Sequence, residues 1–153
     1  QEVREGIRSF KGAKRRFEYI IKKPKQVFLD DYAHHPTELR AFISSVKELY
    51  PQQKITGIFQ PHLFSRTRDF AGGFAESLDL LDECILLPIY PAREAPIGGV
   101  SAEMIAEMMK GKVQVMQKKE VLTYVSEHQP SILLTMGAGD IDQLIEPIKE
   151  VLS

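Results

Sequence analysis

The chain has 153 residues, of which 43% are hydrophobic, so it can bury one substantial core, and its length favours a single main domain. Its 20 basic and 21 acidic side chains leave a net charge of −1, which argues against a nucleic-acid-binding surface built on bulk charge. No apolar run is long enough to cross a membrane, and one cysteine, Cys84, in a predicted core strand is typical of a reducing cytoplasm.

The first predicted element is a hairpin-like lead-in, with its turn at residues 22–25, that continues into a buried strand over residues 26–31. Apolar runs rich in branched residues then alternate with helical repeats. Further strands are predicted at residues 54–60, 84–90, 112–117 and 131–137. Helices are predicted behind Pro36, over residues 70–81, after Ser101, over residues 119–128 and from Ile141 onward. This alternation predicts an α/β, Rossmann-like fold, in which helices cover both faces of a mainly parallel sheet.

A cluster of polar side chains follows the first main strand, in "DDYAHHP". Asp31, Tyr32, His34 and His35 fall where the loops of such a sheet enter helices and where ligands bind. Two carboxylates, a phenol and two imidazoles exceed what a tight turn needs, so the motif predicts a functional site. The histidine spacing does not match the H-E-x-x-H pattern, and no metal site is predicted.

A second polar loop, "QPHLFSRTRD", carries His62, Arg66 and Arg68 around a helix start. Free amides there favour an anion, and arginine adds a bidentate grip on a carboxylate or phosphate. We predict functional roles for His62 and Arg66, whereas for Arg68 a surface ion pair with Asp69 or Glu94 is an equal alternative. The last loop, "GAGD", is a weak match to a dinucleotide fingerprint, and its glycines are predicted to form a tight turn that can expose backbone amides.

These motifs, together with "SFKGAKRRFE" and "YPAREAPIGGVS", resemble in order the C-terminal domain of the Mur ligase family over essentially the whole chain. Within the family they are most similar to the ligases that join L-alanine to UDP-N-acetylmuramate for peptidoglycan precursors. The resemblance implies that a separate N-terminal domain holds the UDP-sugar and that a central domain carries the phosphate loop and the Mg²⁺ ligands. Residues 1–17 would be the tail of the central domain and its linker, and residues 18–153 the C-terminal domain. A first residue, Gln1, that is not Met agrees with this expectation.

The resemblance also implies roles toward ATP, which with Mg²⁺ would be held mainly by the central domain. Arg16 matches a phosphate-facing position, Asp31 a contact to the ribose, and Tyr32 a place near the adenine. Asp31 is expected to face solvent in its loop and to contribute little to the stability of the domain.

On the alanine side, the resemblance implies that His34, His35, His62 and Arg66 bind the substrate. Arg66 is expected to hold the alanine carboxylate, and His34 to accept a proton from the ammonium group before attack. Leu63 stands where some relatives have arginine, so one positive charge is either absent or supplied from elsewhere on the helix, by Arg68 for example.

Two alternatives remain open. A murein-tripeptide recycling ligase of the same superfamily shares a histidine-pair motif, and a free-standing Rossmann-like module could recognise a small anion through the same loops. Because the sequence contains no phosphate loop, this chain alone is expected to fold but not to turn over ATP.

Overall fold

The computed structural model describes residues 14–153, which form one six-stranded sheet covered by helices. The strands are β1 (Glu18–Lys23), β2 (Gln26–Asp31), β3 (Ile55–Phe59), β4 (Glu83–Leu86), β5 (Lys112–Val115) and β6 (Ile132–Met136). The helices are α1 (Pro36–Leu49), α2 (Phe64–Leu78), α3 (Ala102–Met108), α4 (Lys118–His128) and α5 (Ile145–Leu152), with a 3-10 helix at Asp140–Leu144. Most of the tail predicted for residues 1–17, namely residues 1–13, lies outside the described residues.

The sheet has the strand order β1-β2-β6-β3-β4-β5. β1 and β2 form the predicted antiparallel hairpin around Pro24 and Lys25, and all other neighbouring strands are parallel. The α/β, Rossmann-like prediction is therefore confirmed. The last strand, β6, lies between β2 and β3, which places the loop after β6 beside the loops that follow those two strands.

Helices cover both faces of the sheet because alternate residues of each parallel strand point to opposite sides. On one face, Leu29 and Leu134 are fully buried in a core that includes side chains of α1, α2 and α3. On the other face, Phe28 and Leu133 are fully buried in a core with α4 and α5. Each such side chain stabilises the fold by about 1.5–3 kcal/mol, so both faces are needed.

The helix after β3 covers both the polar loop around Arg66 and the apolar repeat that begins at Phe70. α2 starts at Phe64, in agreement with the helix start predicted around Arg66, and it is kinked at Phe70, with φ −122° and ψ 17°. The first turn is polar because it faces the loops at the edge of the sheet rather than the core. No helix within residues 14–153 is both long enough and apolar enough to span a bilayer.

One carboxylate, Asp30, is completely buried near the end of β2. Arg15 Nε donates a hydrogen bond to Asp30 Oδ2 at 2.9 Å, and Thr135 Oγ1 in β6 donates to Oδ1 at 2.8 Å. A buried charge is tolerated only when it is paired and hydrogen-bonded in this way. Arg15 therefore fixes the segment before β1 against the centre of the sheet, a role that the sequence did not indicate.

Candidate functional site

The polar loops meet at the carboxyl ends of β2, β6 and β3. Gly137 N–H, after β6, donates to Asp31 O at 3.3 Å, and Gln60 N–H, after β3, donates to Met136 O at 3.1 Å. The loops after β2 and β3 lead to helices on one face, and the loop after β6 leads to α5 on the other. Such a divergence opens a crevice at the edge of a parallel sheet, where ligands of this fold class bind.

A pocket of about 430 Å³ lies beside the turn after β2. All three residues predicted to face ATP, namely Arg16, Asp31 and Tyr32, line it. Phe17 and Phe42 give it an apolar wall, and their rings are in edge contact at 5.4 Å. Tyr32 is 46% exposed, so its ring is available to a ligand.

Asp31 does not have the solvent-facing position expected from the sequence. It is half-buried, its Oδ2 accepts the backbone N–H of Phe17 at 2.8 Å, and its Oδ1 accepts that of Ala33 at 2.8 Å. Burial raises the pKa of Asp31 above its ordinary value, against the opposing effect of these two hydrogen bonds. The carboxylate therefore ties the entering chain to the turn after β2 and also lines the pocket.

His34 extends from this turn in a defined tautomer. Its Nδ1 lies 3.0 Å from Tyr32 O, and because a carbonyl only accepts, Nδ1 carries the hydrogen and Nε2 is left as an acceptor. Glu38 Oε1 accepts the backbone N–H groups of His34 and His35 at 3.1 Å each and lies 3.5 Å from His34 Nδ1. Glu38 can therefore stabilise a positive charge on the His34 ring.

His62 is held in the opposite tautomer, 6.3 Å from His34 between ring centroids. Arg66 Nη1 donates to His62 Nδ1 at 3.3 Å, which leaves the hydrogen on Nε2. Partial burial lowers the pKa of His62, as do the charges of Arg66 and His34, while Glu94 opposes them. The His62 ring also stacks on Tyr90 at 5.8 Å. The cluster thus pairs one imidazole that can accept a proton with another that can donate a hydrogen bond.

Two amides at the start of α2 already have acceptors, which narrows the sequence-based expectation of an anion site there. Leu63 N–H donates to Tyr90 O at 2.8 Å, and Ser65 N–H donates to Glu94 Oε1 at 3.1 Å. Leu63 itself has φ +73°, a region that non-glycine residues rarely adopt and that recurs at functional sites. An anion in this cluster would consequently be bound by Arg66 rather than by the helix start.

Comparison with known proteins assigns the chain to a family. A model of the domain described as "Mur ligase, glutamate ligase domain" matches residues 15–139. The chain belongs to the Mur ligase family. This Mur ligase domain is 53% identical over 153 residues to the UDP-N-acetylmuramate–L-alanine ligase of Parabacteroides distasonis, in an alignment that covers 99% of the chain and 33% of that protein. The domain thus spans about a third of the length of such relatives.

Solved structures show the same fold. The UDP-N-acetylmuramate-alanine ligase of Thermotoga maritima matches 95% of the Mur ligase domain with a TM-score of 0.75 and 28% sequence identity, over 31% of its own chain. A murein peptide ligase from Psychrobacter arcticus matches 91% of the domain with a TM-score of 0.73 and 20% identity, over 30% of its chain. The second likeness shows a shared fold alone.

Two of the predicted candidates lie outside the histidine and arginine cluster of the Mur ligase domain. The ring of His35 packs on Phe70, 4.8 Å between centroids, and so diverges from His34. Arg68 Nε donates to Asp69 Oδ1 at 2.9 Å on the surface, which confirms the ion-pair alternative. Arg68 is thus paired with its sequence neighbour on the surface of α2.

The first amide of the glycine loop of the Mur ligase domain is not exposed to a ligand. Gly137 has φ +140°, and a Cβ there would lie 2.8 Å from Gln60 O, so only glycine fits. Its N–H is already used by Asp31 O. Sequence reasoning also missed Gln60, whose Nε2 donates to Asp140 Oδ1 at 2.6 Å, because an amide at a strand end carries no distinctive signal.

Asp31→Asn should destabilise the 153-residue Mur ligase domain by about 1–2 kcal/mol. Asparagine has a single acceptor oxygen, so one of the two backbone N–H groups, that of Phe17 or that of Ala33, would face an amide nitrogen that cannot accept it. Urea denaturation of the two forms measures the difference. Asp69→Asn, at an exposed carboxylate, is the matched control and should change the free energy of unfolding by less than about 0.5 kcal/mol. Equal stability of the two variants would show that the hydrogen bonds of Asp31 do not support the fold.

Proposed function

We propose that this chain is the C-terminal, amino-acid-binding domain of an ATP-dependent ligase that joins L-alanine to UDP-N-acetylmuramate through an acyl phosphate. In this proposal residues 18–153 form the domain, and closure over a central domain brings alanine to the acyl phosphate while excluding water. The observation that carries the proposal is the turn after β2, which presents Asp31 and Tyr32 to a pocket and His34 to the adjoining cluster with His62 and Arg66. The 53% identity to a relative bearing that name supports the choice of substrate.

The pocket is assigned to ATP. Each Asp31 oxygen accepts one backbone N–H and keeps a lone pair that can accept a ribose hydroxyl. The Tyr32 ring, which is exposed in the pocket, would contact the adenine, and Arg16, also exposed there, would contact a phosphate. The Mg²⁺ site is assigned to the central domain, as the resemblance to the Mur ligase family implies.

The cluster is assigned to alanine. Arg66 binds the substrate carboxylate through the N–H groups that it does not direct at His62. The ammonium group gives a proton to His34 Nε2, and the resulting amine attacks the acyl carbon, so that an N–C bond forms and the C–O bond to phosphate breaks. Phosphate leaves with the electron pair and takes the second proton of the amine. His62 Nε2–H donates a hydrogen bond to the oxygen on which negative charge develops.

A ligation assay tests this proposal. The full-length protein should form UDP-N-acetylmuramoyl-L-alanine, ADP and phosphate from UDP-N-acetylmuramate, L-alanine and ATP, whereas the 153-residue chain alone should not hydrolyse ATP. Preferential ligation of the murein tripeptide would favour the recycling ligase instead. Ligand binding without any ligation by the full-length protein would favour a regulatory module. A cytoplasmic location is part of the proposal, supported by the one cysteine, Cys84, which is buried as a free thiol.

A further inference from the structure

The segment 90–94, which follows β4, holds the loop that carries His62. Tyr90 N–H donates to Pro61 O at 2.8 Å, and Tyr90 O accepts Leu63 N–H at 2.8 Å. Between these two bonds, the Tyr90 ring stacks on His62 with an interplanar angle of 15°. The backbone on both sides of His62 and one face of its ring are therefore fixed by a single residue of another loop.

The same segment caps the helix that carries Arg66. Helix starts leave backbone N–H groups without partners, and a polar side chain at the N-cap usually accepts one of them. Leu63 is the N-cap of α2, and its side chain contains no hydrogen-bond acceptor. Glu94 takes over this task from 29 residues away: its carboxylate accepts Ser65 N–H at 3.1 Å and also the Ser65 hydroxyl. These bonds hold the pKa of Glu94 below its ordinary value, so it remains ionised.

An ionised cap at this position affects where a substrate carboxylate can bind. A helix start with free amides is itself an anion site and would compete with the guanidinium of Arg66. Because Glu94 already fills it, an incoming carboxylate is directed to Arg66, one residue beyond Ser65 in the same turn. Fixing the first turn also fixes the point from which the Arg66 side chain extends.

We propose that Glu94 is a positioning residue of the alanine subsite, which caps α2 from a distant loop and thereby directs Arg66 to the carboxylate of the substrate. Glu94 does not itself touch the substrate. The positioning role rests on the proposed function, whereas the cap can be tested without it.

The cap is tested in the 153-residue chain by comparing Glu94→Ala with Glu103→Ala, since a glutamine at position 94 could still accept Ser65 N–H through its amide oxygen. Glu103 lies in the first turn of α3 and is exposed, so its variant removes an equal charge from a helix start elsewhere. In Glu94→Ala, hydrogen exchange of the Ser65 amide should become about tenfold faster, the size expected for loss of one cap. The NMR titration of His62 should move to lower pH, because of the charges around its ring, Arg66, His34 and Glu94, only Glu94 favours protonation. An exchange rate and a titration equal to those of Glu103→Ala would show that Glu94 does not cap α2.

The positioning role is tested in the full-length protein by steady-state kinetics. Glu94→Ala should raise the KM for L-alanine about tenfold and leave the KM for ATP within about twofold, because only the alanine subsite loses its orientation. An equal rise in the KM values for L-alanine and ATP would contradict the positioning role of Glu94 and indicate a general loss of structure. If the wild-type protein does not ligate alanine, the positioning role falls with the proposed function, and the exchange and titration results alone decide the cap.

Discussion

Arg66→Ala in the full-length protein should raise the KM for L-alanine by about 30-fold, which corresponds to about 2 kcal/mol, the size of one charge-assisted hydrogen-bonded contact. The KM for ATP should change by less than about twofold. The reason is that Arg66 lies in the histidine cluster and is not among the residues that line the pocket with Arg16 and Asp31. Initial rates with one substrate varied at a time measure both constants.

Arg68→Ala is the matched control for Arg66. It removes the same charge two residues further along α2, where the guanidinium is paired with Asp69 on the surface. Its effect on the KM for alanine should stay within about twofold, since exposed ion pairs contribute little. If Arg66→Ala raised the KM for ATP as much as the KM for L-alanine, Arg66 would be a nucleotide contact and the assignment of the two subsites would be wrong.

Two adjacent arginines should behave in opposite ways when each is replaced by alanine. Arg15→Ala leaves the fully buried Asp30 without its cation and should destabilise the 153-residue chain by about 3 kcal/mol. Arg16 is exposed, so Arg16→Ala should change the free energy of unfolding by less than about 0.5 kcal/mol. Urea denaturation of the three forms measures both effects.

The same pair is then compared in the full-length protein by ATP titration. Arg16→Ala should weaken ATP binding, because a phosphate-facing charge is lost from the pocket. A stable Arg15→Ala domain together with a destabilised Arg16→Ala domain would reverse the two roles. It would mean that the resemblance identifies the wrong member of the pair as the phosphate ligand.

Much of the fold could be predicted because buried strands and helices show characteristic spacings of apolar residues in the sequence. Strands β2, β3, β4 and β6 follow apolar runs that are buried in the sheet, whereas β5 alternates exposed and half-buried residues. The first turn of α2 lies among polar loops, so only its polar motif and no apolar repeat marks it in the sequence. The position of β6 between β2 and β3 is a long-range pairing that local patterns do not record.

Within the site, the residue types predicted which loops contain functional side chains. The structure was needed to tell which member of each pair of neighbouring residues lies in the site. Nothing in "RRF" shows that Arg15 is bound to a buried carboxylate while Arg16 is exposed. In the same way, "HH" does not show that His34 joins the cluster and His35 packs on Phe70. Glu94 was weighed only as a partner of Arg68, because a cap supplied from 29 residues away has no sequence signature.

Phe17 belongs both to the wall of the pocket and to the segment through which the chain enters the domain. That segment is bent sharply, since Arg15 and Phe17 have φ values of 61° and 46°, a conformation that persists only where neighbouring contacts enforce it. A ligand that contacts Phe17 in the pocket would stabilise the bend at residues 15–17. Linkage is reciprocal: whatever free energy the ligand contributes to the bend, any contact that holds the bend returns to ligand affinity. Pocket occupancy and the bend at residues 15–17 are then two measurements of one equilibrium.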